Sequence, residues 1–410
     1  MKLSCKTILH PTTEQKIILD SYAFAAAKLW NVGNFEKHHY QDLGFDTFPN
    51  WYDQKKRLKG HLWYKALPSQ TAQEVLNVLQ QAWKSFFALT KTGGIQNPHP
   101  PHYKQGHDCF SILNNGFKKD GSAFKMTLSG QQKAYLKDTH ALEVNCLLLE
   151  IPRFQQLSML KQIRFYPQKN GAYVVIAIYE IPDVKALPDN GHYLSIDQGV
   201  NNLAACYDSD GFSFIISGNR YLNACHYYTK EIAKKQSLLD QREPKRKGCS
   251  KAMSRLFLKR KNTVDDVLHK ATRLIVDYCV AQDIHTVVMG DITGIRKDND
   301  HGYQNNQTLH ALPFLQFYQK LTYKLAQHGI QLMRQKEYYS SQCPPTSPLV
   351  SRRYAKKLNR RQRGLYVHED IIYNADSLGA FNILRLFLHA AKIAQSFPST
   401  GLSNPVKVSV

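Results

Sequence analysis

Cysteines are few and none are paired in spacing. The eight, at positions 5, 109, 146, 206, 225, 249, 279 and 343, include no two within a CxxC separation. That excludes a zinc ribbon built on Cys pairs and a compact disulfide framework, and it fits reduced thiols in a cytoplasmic protein. Long apolar runs are missing as well. No stretch approaches the ~20 residues needed to span a bilayer, and the opening MKLSCKTILH has no apolar signal-peptide core. No membrane partner is expected. Acids are scarce beside bases: 32 Asp and Glu against 54 Lys and Arg, a formal charge of +22. Such an imbalance points to a polyanionic partner, nucleic acid first. The length, 410 residues, allows two or three domains.

Residues 2–9 read as a strand. A helix is expected over 12–35, with Thr12 or Thr13 as N-cap and apolar residues from Ile17 to Trp30. A second is expected over 69–89, carrying Val75, Leu76, Leu79, Trp83 and Phe86. The aromatic residues Tyr22, Trp30, Trp83 and Phe86 could stack on bases, but their helical spacing favours a core. From about 108 to 186 short apolar runs alternate with turn signals, which predicts a small barrel or sheet. The helical stretch 11–105 is then an insertion between the first strand and the rest. After a boundary near PDVKALPDNGH the order becomes three strands, helices, strand, helix, strand, helix, an α/β pattern. Its helices are expected over 223–240, about 251–282, 311–328 and 379–395. The last strand is expected in IQLMRQKEYY, and the tail SFPSTGLSNPVKVSV reads as loose.

Two carboxylates stand out. In LSIDQGVNNLAAC, Asp197 lies in an apolar strand before Gly199. A strand Asp is expensive to bury without a partner; the partner is either a metal ion or the turn, through Asn201 or Asn202. In YNADSLGAFNILR, Asp376 sits at a helix start, followed by the small Gly379 and Ala380. By itself that reads as an N-cap. Taken together, an Asp on the first strand and an Asp opening the last helix can converge on one sheet edge. Carboxylates there can hold two Mg²⁺ ions about 4 Å apart for in-line phosphodiester hydrolysis, and Mg²⁺ needs few protein ligands because it keeps its waters. A third acid is required. The strand TVVMGDITGI puts Gly290 at its end and a carboxylate only at Asp291.

KTILHPTTEQKIIL, LPSQTAQEVLNVLQQAWKSFF, LSIDQGVNNLA, the basic helix around His269 and Lys270, and NADSLGAFNILR occur in an order and spacing that resembles TnpB. This is the family of RNA-guided nucleases encoded by insertion sequences and related to type V CRISPR effectors. The resemblance implies an α+β multidomain protein. An RNase H-like (RuvC) domain would span 187–410. A wedge β-barrel would be formed by 1–10 and 106–186, with a helical recognition insert over 11–105. It also implies two Mg²⁺ ions, with Mn²⁺ as the substitute, a guide RNA from the transposon end, and duplex target DNA next to a short transposon-adjacent motif. A protein monomeric on its RNA, in a prokaryotic cytoplasm and on the nucleoid when bound to DNA, is expected.

Two departures from the family pattern bear on the site. The family places Glu directly after the second-motif strand, where Gly290 stands here. The zinc ribbon expected over 340–372 is degenerate: it retains Cys343 and His368 but no Cys pair, so no structural zinc is expected. Three readings of the missing acid follow. Asp291 could take the role one residue on, although a one-residue shift along a strand turns a side chain to the opposite face. The site could be dead and the protein a guided DNA-binding repressor. Or Glu337, near the end of the next strand in LMRQKEYYSSQ, could substitute, as in rearranged Fanzor-like relatives. The last is favoured, giving Asp197, Glu337 and Asp376 as catalytic metal ligands with Asp291 as the alternative. A guide-independent junction nuclease is the remaining rival.

Two basic runs complete the reading. Residues 230–261 hold twelve Lys and Arg, among them Lys245, Arg246, Lys247, Lys259, Arg260 and Lys261. Residues 352–363 hold seven of twelve and no acid, including Arg352, Arg353, Arg360, Arg361 and Arg363. In a nucleic-acid binder such runs track phosphates without reading bases.

Overall fold

Strand β1 (Lys2–Leu9) alternates exposed and half-buried residues and pairs antiparallel with β7 (Tyr173–Glu180), setting Lys2 opposite Glu180. In the computed structural model every residue is described except 94, 169, 200, 243–247, 294–312, 361 and 363. The chain divides into two units, Met1–Pro182 and Asp183–Val410. No helix among the described residues is long and apolar enough to cross a membrane.

In the first unit, helix α1 (Thr13–His38) begins at a reciprocal cap. Gln15 N donates to Thr12 Oγ1 at 3.3 Å, and Thr12 N to Gln15 Oε1 at 3.0 Å. Short helices α2 (Trp51–Arg57) and α3 (Leu62–Lys65) lead to α4 (Ser69–Thr92). Tyr22, Trp30 and Trp83 are buried, and Trp83 Nε1 donates to Asn34 Oδ1 at 2.8 Å. These rings belong to the core.

The remainder of the unit is β2 (Phe110–Leu113), β3 (Phe117–Asp120), β4 (Ala123–Thr127), α5 (Gly130–His140), β5 (Cys146–Glu150), α6 (Pro152–Gln155), β6 (Leu160–Pro167) and β7. The strands form two antiparallel sheets, ordered β1-β7-β6-β2 and β3-β4-β5. The helix α5 departs from the all-β expectation for this region. Ser129 is its N-cap, and its Oγ accepts from Gln132 N at 3.1 Å.

The second unit contains β8 (Tyr193–Asp197), β9 (Asn202–Asp208), β10 (Ser213–Ser217), α7 (Asn219–Arg242), α8 (Lys251–Ala281), β11 (Thr286–Gly290), α9 (Phe314–Ala326), β12 (Gln331–Gln335), β13 (Leu365–His368), β14 (Ile371–Asn374), α10 (Ala375–Ala391) and β15 (Val406–Val408). Six strands form one mixed sheet, β12-β11-β8-β9-β10-β15, in which β9 runs against its neighbours. Alternation divides the sheet's side chains between two cores. Leu194, Ile196, Val287 and Met289 pack with Leu268, Ile275, Phe317 and Leu321 of α8 and α9. Tyr193, Tyr207 and Val288 pack with Leu378, Phe381 and Ile383 of α10.

Several expected bounds are corrected here. Helix α10 starts four residues before 379, because Asn374 caps it. Strand β12 ends at Gln335, so Glu337 lies just beyond it. The helix expected over 311–328 is described from Phe314 to Ala326, and its first two expected residues lie outside the described ones. The tail is not loose. Leu402 is fully buried, Tyr207 Oη donates to Pro398 O at 2.5 Å, and β15 pairs parallel with β10, Lys407 lying opposite Ile215.

Candidate active site

Asp197 is the last residue of β8. The side-chain alternation that puts Leu194 and Ile196 on one face puts Asp197 on the other, towards α10. The helix gives way there because residue 379 is glycine: a Cβ on Gly379 would overlap Asp197 Oδ2 and lie 3.2 Å from its Cγ. Asp376 belongs to the first turn of the same helix. It is not the cap. Asn374 Oδ1 accepts from the backbone N of both Asp376 and Ser377 at 3.1 Å, which frees the Asp376 carboxylate. That carboxylate accepts from Asn202 Nδ2 at 2.6 Å. Asn202 therefore binds Asp376, and the alternative in which it caps a turn through Asp197 is not realised.

At the neighbouring strand end, β11 pairs parallel with both β8 and β12, so Gly290 lies on the same sheet edge as Asp197. A Cβ on Gly290 would collide with Glu337 Oε2 and approach Ile383 Cδ1 to 3.0 Å. The Glu337 carboxylate thus occupies the space that a side chain at 290 would need. Ser340 holds the turn after it, both its N and its Oγ donating to Glu337 O, at 3.3 and 3.0 Å.

Asp197, Glu337 and Asp376 all line one cavity of about 670 Å³, together with Gln198, Asn201, Asn202, Ser340 and Ser341. Among the described residues, Arg360 and Lys407 are the basic residues of its lining. Asp291 does not line it: the Asp291 carboxylate turns back to accept from Thr293 N at 3.0 Å and from Thr293 Oγ1. Those bonds hold the Asp291 pKa below its ordinary value. The two acids at the strand ends go the other way. Burial, then the nearby Glu337 and Asp376 carboxylates, push Asp197 well up, with Arg360 pulling it back. Burial, then Asp291, raises Glu337 to about 7.

These residues fit a hard divalent cation. Clustered carboxylates with raised pKa values are held against their preference for water, and a cation reverses that penalty. Glu337 Oε2 is buried with no hydrogen-bond partner. The donors are oxygen throughout, which suits Mg²⁺ or Mn²⁺ better than zinc. Among the described residues no three His, Cys, Asp or Glu side chains close tightly around a point. An open set of this kind suits Mg²⁺, which keeps several waters and takes further oxygens from a phosphate.

The region 340–372 is held by side chains of α10. Asn382 Nδ2 donates to Ser340 O at 2.7 Å and Cys343 O at 2.8 Å, and Arg385 reaches the Ser347 carbonyl. Cys343 Sγ donates to Ser351 O at 3.3 Å, while His368 Nε2 lies 3.0 Å from Thr346 Oγ1. The two residues are thus engaged separately.

Of the basic residues singled out in the sequence, Lys259, Arg260 and Lys261 lie along α8. Arg352 and Arg353 are exposed, and among the described residues of the two runs Arg360 alone reaches the cavity lining. Lys245, Arg246, Lys247, Arg361 and Arg363 lie outside the described residues. Sequence reasoning missed Asn202 as the partner of Asp376 and Lys407 as a lining residue. The first stood inside the quoted motif; the second lay in a tail with no strand signal beyond VKV.

Residues 177–296 match the family described as OrfB_IS605, probable transposase, and residues 314–383 match the Cas12f1-like TNB domain. TnpB-like protein ORF457 of Acidianus two-tailed virus is 22% identical, over 92% of this chain and 85% of its own. Among solved structures, the Cas12f1–sgRNA–target DNA complex superposes with a TM-score of 0.56 at 15% identity, covering 91% of this chain and 83% of that one. The mini-RNA-guided endonuclease CRISPR-Cas_phi3 gives a TM-score of 0.47 at 11% identity, covering 94% and 92%. The first of these likenesses extends the fold across both units.

Proposed function

We propose, from the premise that the chain is a TnpB-type protein, that it is an RNA-guided DNA endonuclease cutting beside a transposon-adjacent motif. The observation that carries the reading is the placement of Glu337 beside Gly290, on one cavity with Asp197 and Asp376. A nuclease site that lacked its third acid at the β11 end would thereby regain it from the segment after β12. Residues 187–410 are assigned as the RuvC-like nuclease domain, 1–10 and 106–186 as the wedge, and 11–105 as the recognition insert.

Asp197, Glu337 and Asp376 would hold two Mg²⁺ ions, which would supply stabilisation of the negative charge that develops as the phosphodiester is cut. The chain's own residues do the rest. Asn202 orients the Asp376 carboxylate through its 2.6 Å bond. Gly379 lets Asp197 close onto the helix, and Arg360 and Lys407 draw the substrate strand to the cavity. A water oxygen bonds to phosphorus as the bond to the 3′ oxygen breaks. The water loses a proton, and the 3′ oxygen gains one.

The partners are a guide RNA and duplex DNA; the Cas12f1 structure whose fold the chain shares is a complex with sgRNA and target DNA. Base pairing supplies sequence, and the protein reads the shape of the heteroduplex. The +22 charge and the exposed Lys259, Lys261, Arg352 and Arg353 suit that task. The test is to sequence the RNA that copurifies, then incubate the complex with matched DNA in Mg²⁺ or EDTA. Mg²⁺-dependent cutting is expected. Tight binding without cutting would make the protein a guided repressor, and cutting without RNA a junction nuclease.

A further inference from the structure

Strand β8 ends at Asp197 and is followed by a glutamine that no step above uses. Gln198 is only 7% exposed, and among the described residues neither its Oε1 nor its Nε2 has a hydrogen-bond partner. A buried carboxamide unmet at both ends is unfavourable for a fold, and an apolar side chain of the same size would avoid the penalty. The backbone keeps it in place. Gly199 N donates to Asn202 O at 3.1 Å, and a Cβ on Gly199 would lie 2.9 Å from that same oxygen, so the turn is closed tightly beside it. Gln198 also lines the cavity that holds Asp197 and Glu337, whose Oε2 is likewise unpartnered. Two orphaned polar side chains on one cavity point to a ligand carrying both donors and acceptors.

We propose that Gln198 is a catalytic residue that touches the substrate at the point of cleavage. Its Nε2 donates to a non-bridging oxygen of the scissile phosphodiester, and its Oε1 accepts from the attacking water. One carboxamide then holds nucleophile and electrophile in line. Both atoms are covered in the free protein, so the side chain turns into the cavity as the substrate strand enters. In the reacting complex the water's oxygen forms the new bond to phosphorus, and the bond to the 3′ oxygen breaks with its electron pair. The water proton not held by Oε1 goes to solvent, and the 3′ oxygen is protonated in its place. The inference rests on the nuclease reading above.

The test compares Gln198→Leu with the wild type, both with their copurified RNA. Thermal melting and single-turnover cleavage of guide-matched DNA in Mg²⁺ are measured. The melting temperature should hold or rise, by up to about 3 °C, because the unmet amide is removed. Cleavage should fall about 10- to 100-fold. A glutamine held by structure alone would give the reverse, a lower melting temperature with any loss of rate following the loss of fold. Unchanged cleavage, or a melting temperature that falls, overturns the inference while leaving the nuclease reading intact. A wild type that binds matched DNA and never cuts it overturns both.

Discussion

Two strand ends on one sheet edge solve the same problem in opposite ways. At the end of β8 the acid is on the strand and the glycine is on the packing helix: Asp197 fits because residue 379 has no Cβ. At the end of β11 the glycine is on the strand, and the acid, Glu337, arrives from the segment after β12. In both, a missing Cβ is the mould for a carboxylate that would otherwise clash. The lesson is that such a site specifies where charge must sit, not which strand must deliver it. Under the proposed reading, the acid expected at 290 is supplied 47 residues on, by Glu337, whose carboxylate lines the cavity with Asp197 and Asp376.

The comparison breaks most sharply at Glu337. Glu337→Gln should lower single-turnover cleavage of matched DNA on the order of 10³-fold. Asp291→Asn, which removes an acid outside the cavity lining, should change the rate by less than about fivefold in the same assay. Next comes the helix side of the mould. Gly379→Ala places a methyl group against Asp197 Oδ2 and should cost about 10²-fold in cleavage with little change in guide-RNA binding; equal losses of both would mean that the helix, not the acid, had moved.

The smallest effect is on stability against pH. Glu337 rises from an ordinary 4.5 to about 7. The folded metal-free protein therefore binds more protons than the unfolded chain between those values. The Glu337 contribution to stability is fully present below 4.5 and is lost as pH rises through about 7. Glu337→Gln has no such proton to lose, so at pH 8 it should melt about 3 °C above the wild type in EDTA, with the gap narrowing near pH 5. A gap independent of pH would assign the difference to packing.

Much of this was legible in the residues. Asp197 and Asp376 stood in motifs whose pattern of apolar and small neighbours carried their placement. The gap at Gly290 was visible only against the family pattern, and the next strand then offered Glu337 as a candidate, which the structure brings to one cavity with Asp197 and Asp376. What stayed hidden depended on long-range contacts. The cap of α10 is Asn374, two residues before Asp376, which read as the cap in the sequence; the bonds to Asp376 N and Ser377 N assign it to Asn374. The tail gave no strand signal because β15 has three residues, and its place is set by Leu402 and by pairing with β10. Helix α5 was masked by a strand that ends two residues before its capping serine. Nothing in the sequence marked out Gln198; its burial does.

The claim that Glu337 stands in for an acid at 290 is tested most directly by exchanging the two. Gly290→Glu combined with Glu337→Gly should restore Mg²⁺-dependent cleavage of guide-matched DNA at least about tenfold above Glu337→Gly alone. Gly290→Glu by itself, with two carboxylates forced into one space, should be inactive. A double variant that folds, binds its guide and matched DNA, and cuts no better than Glu337→Gly would contradict the account.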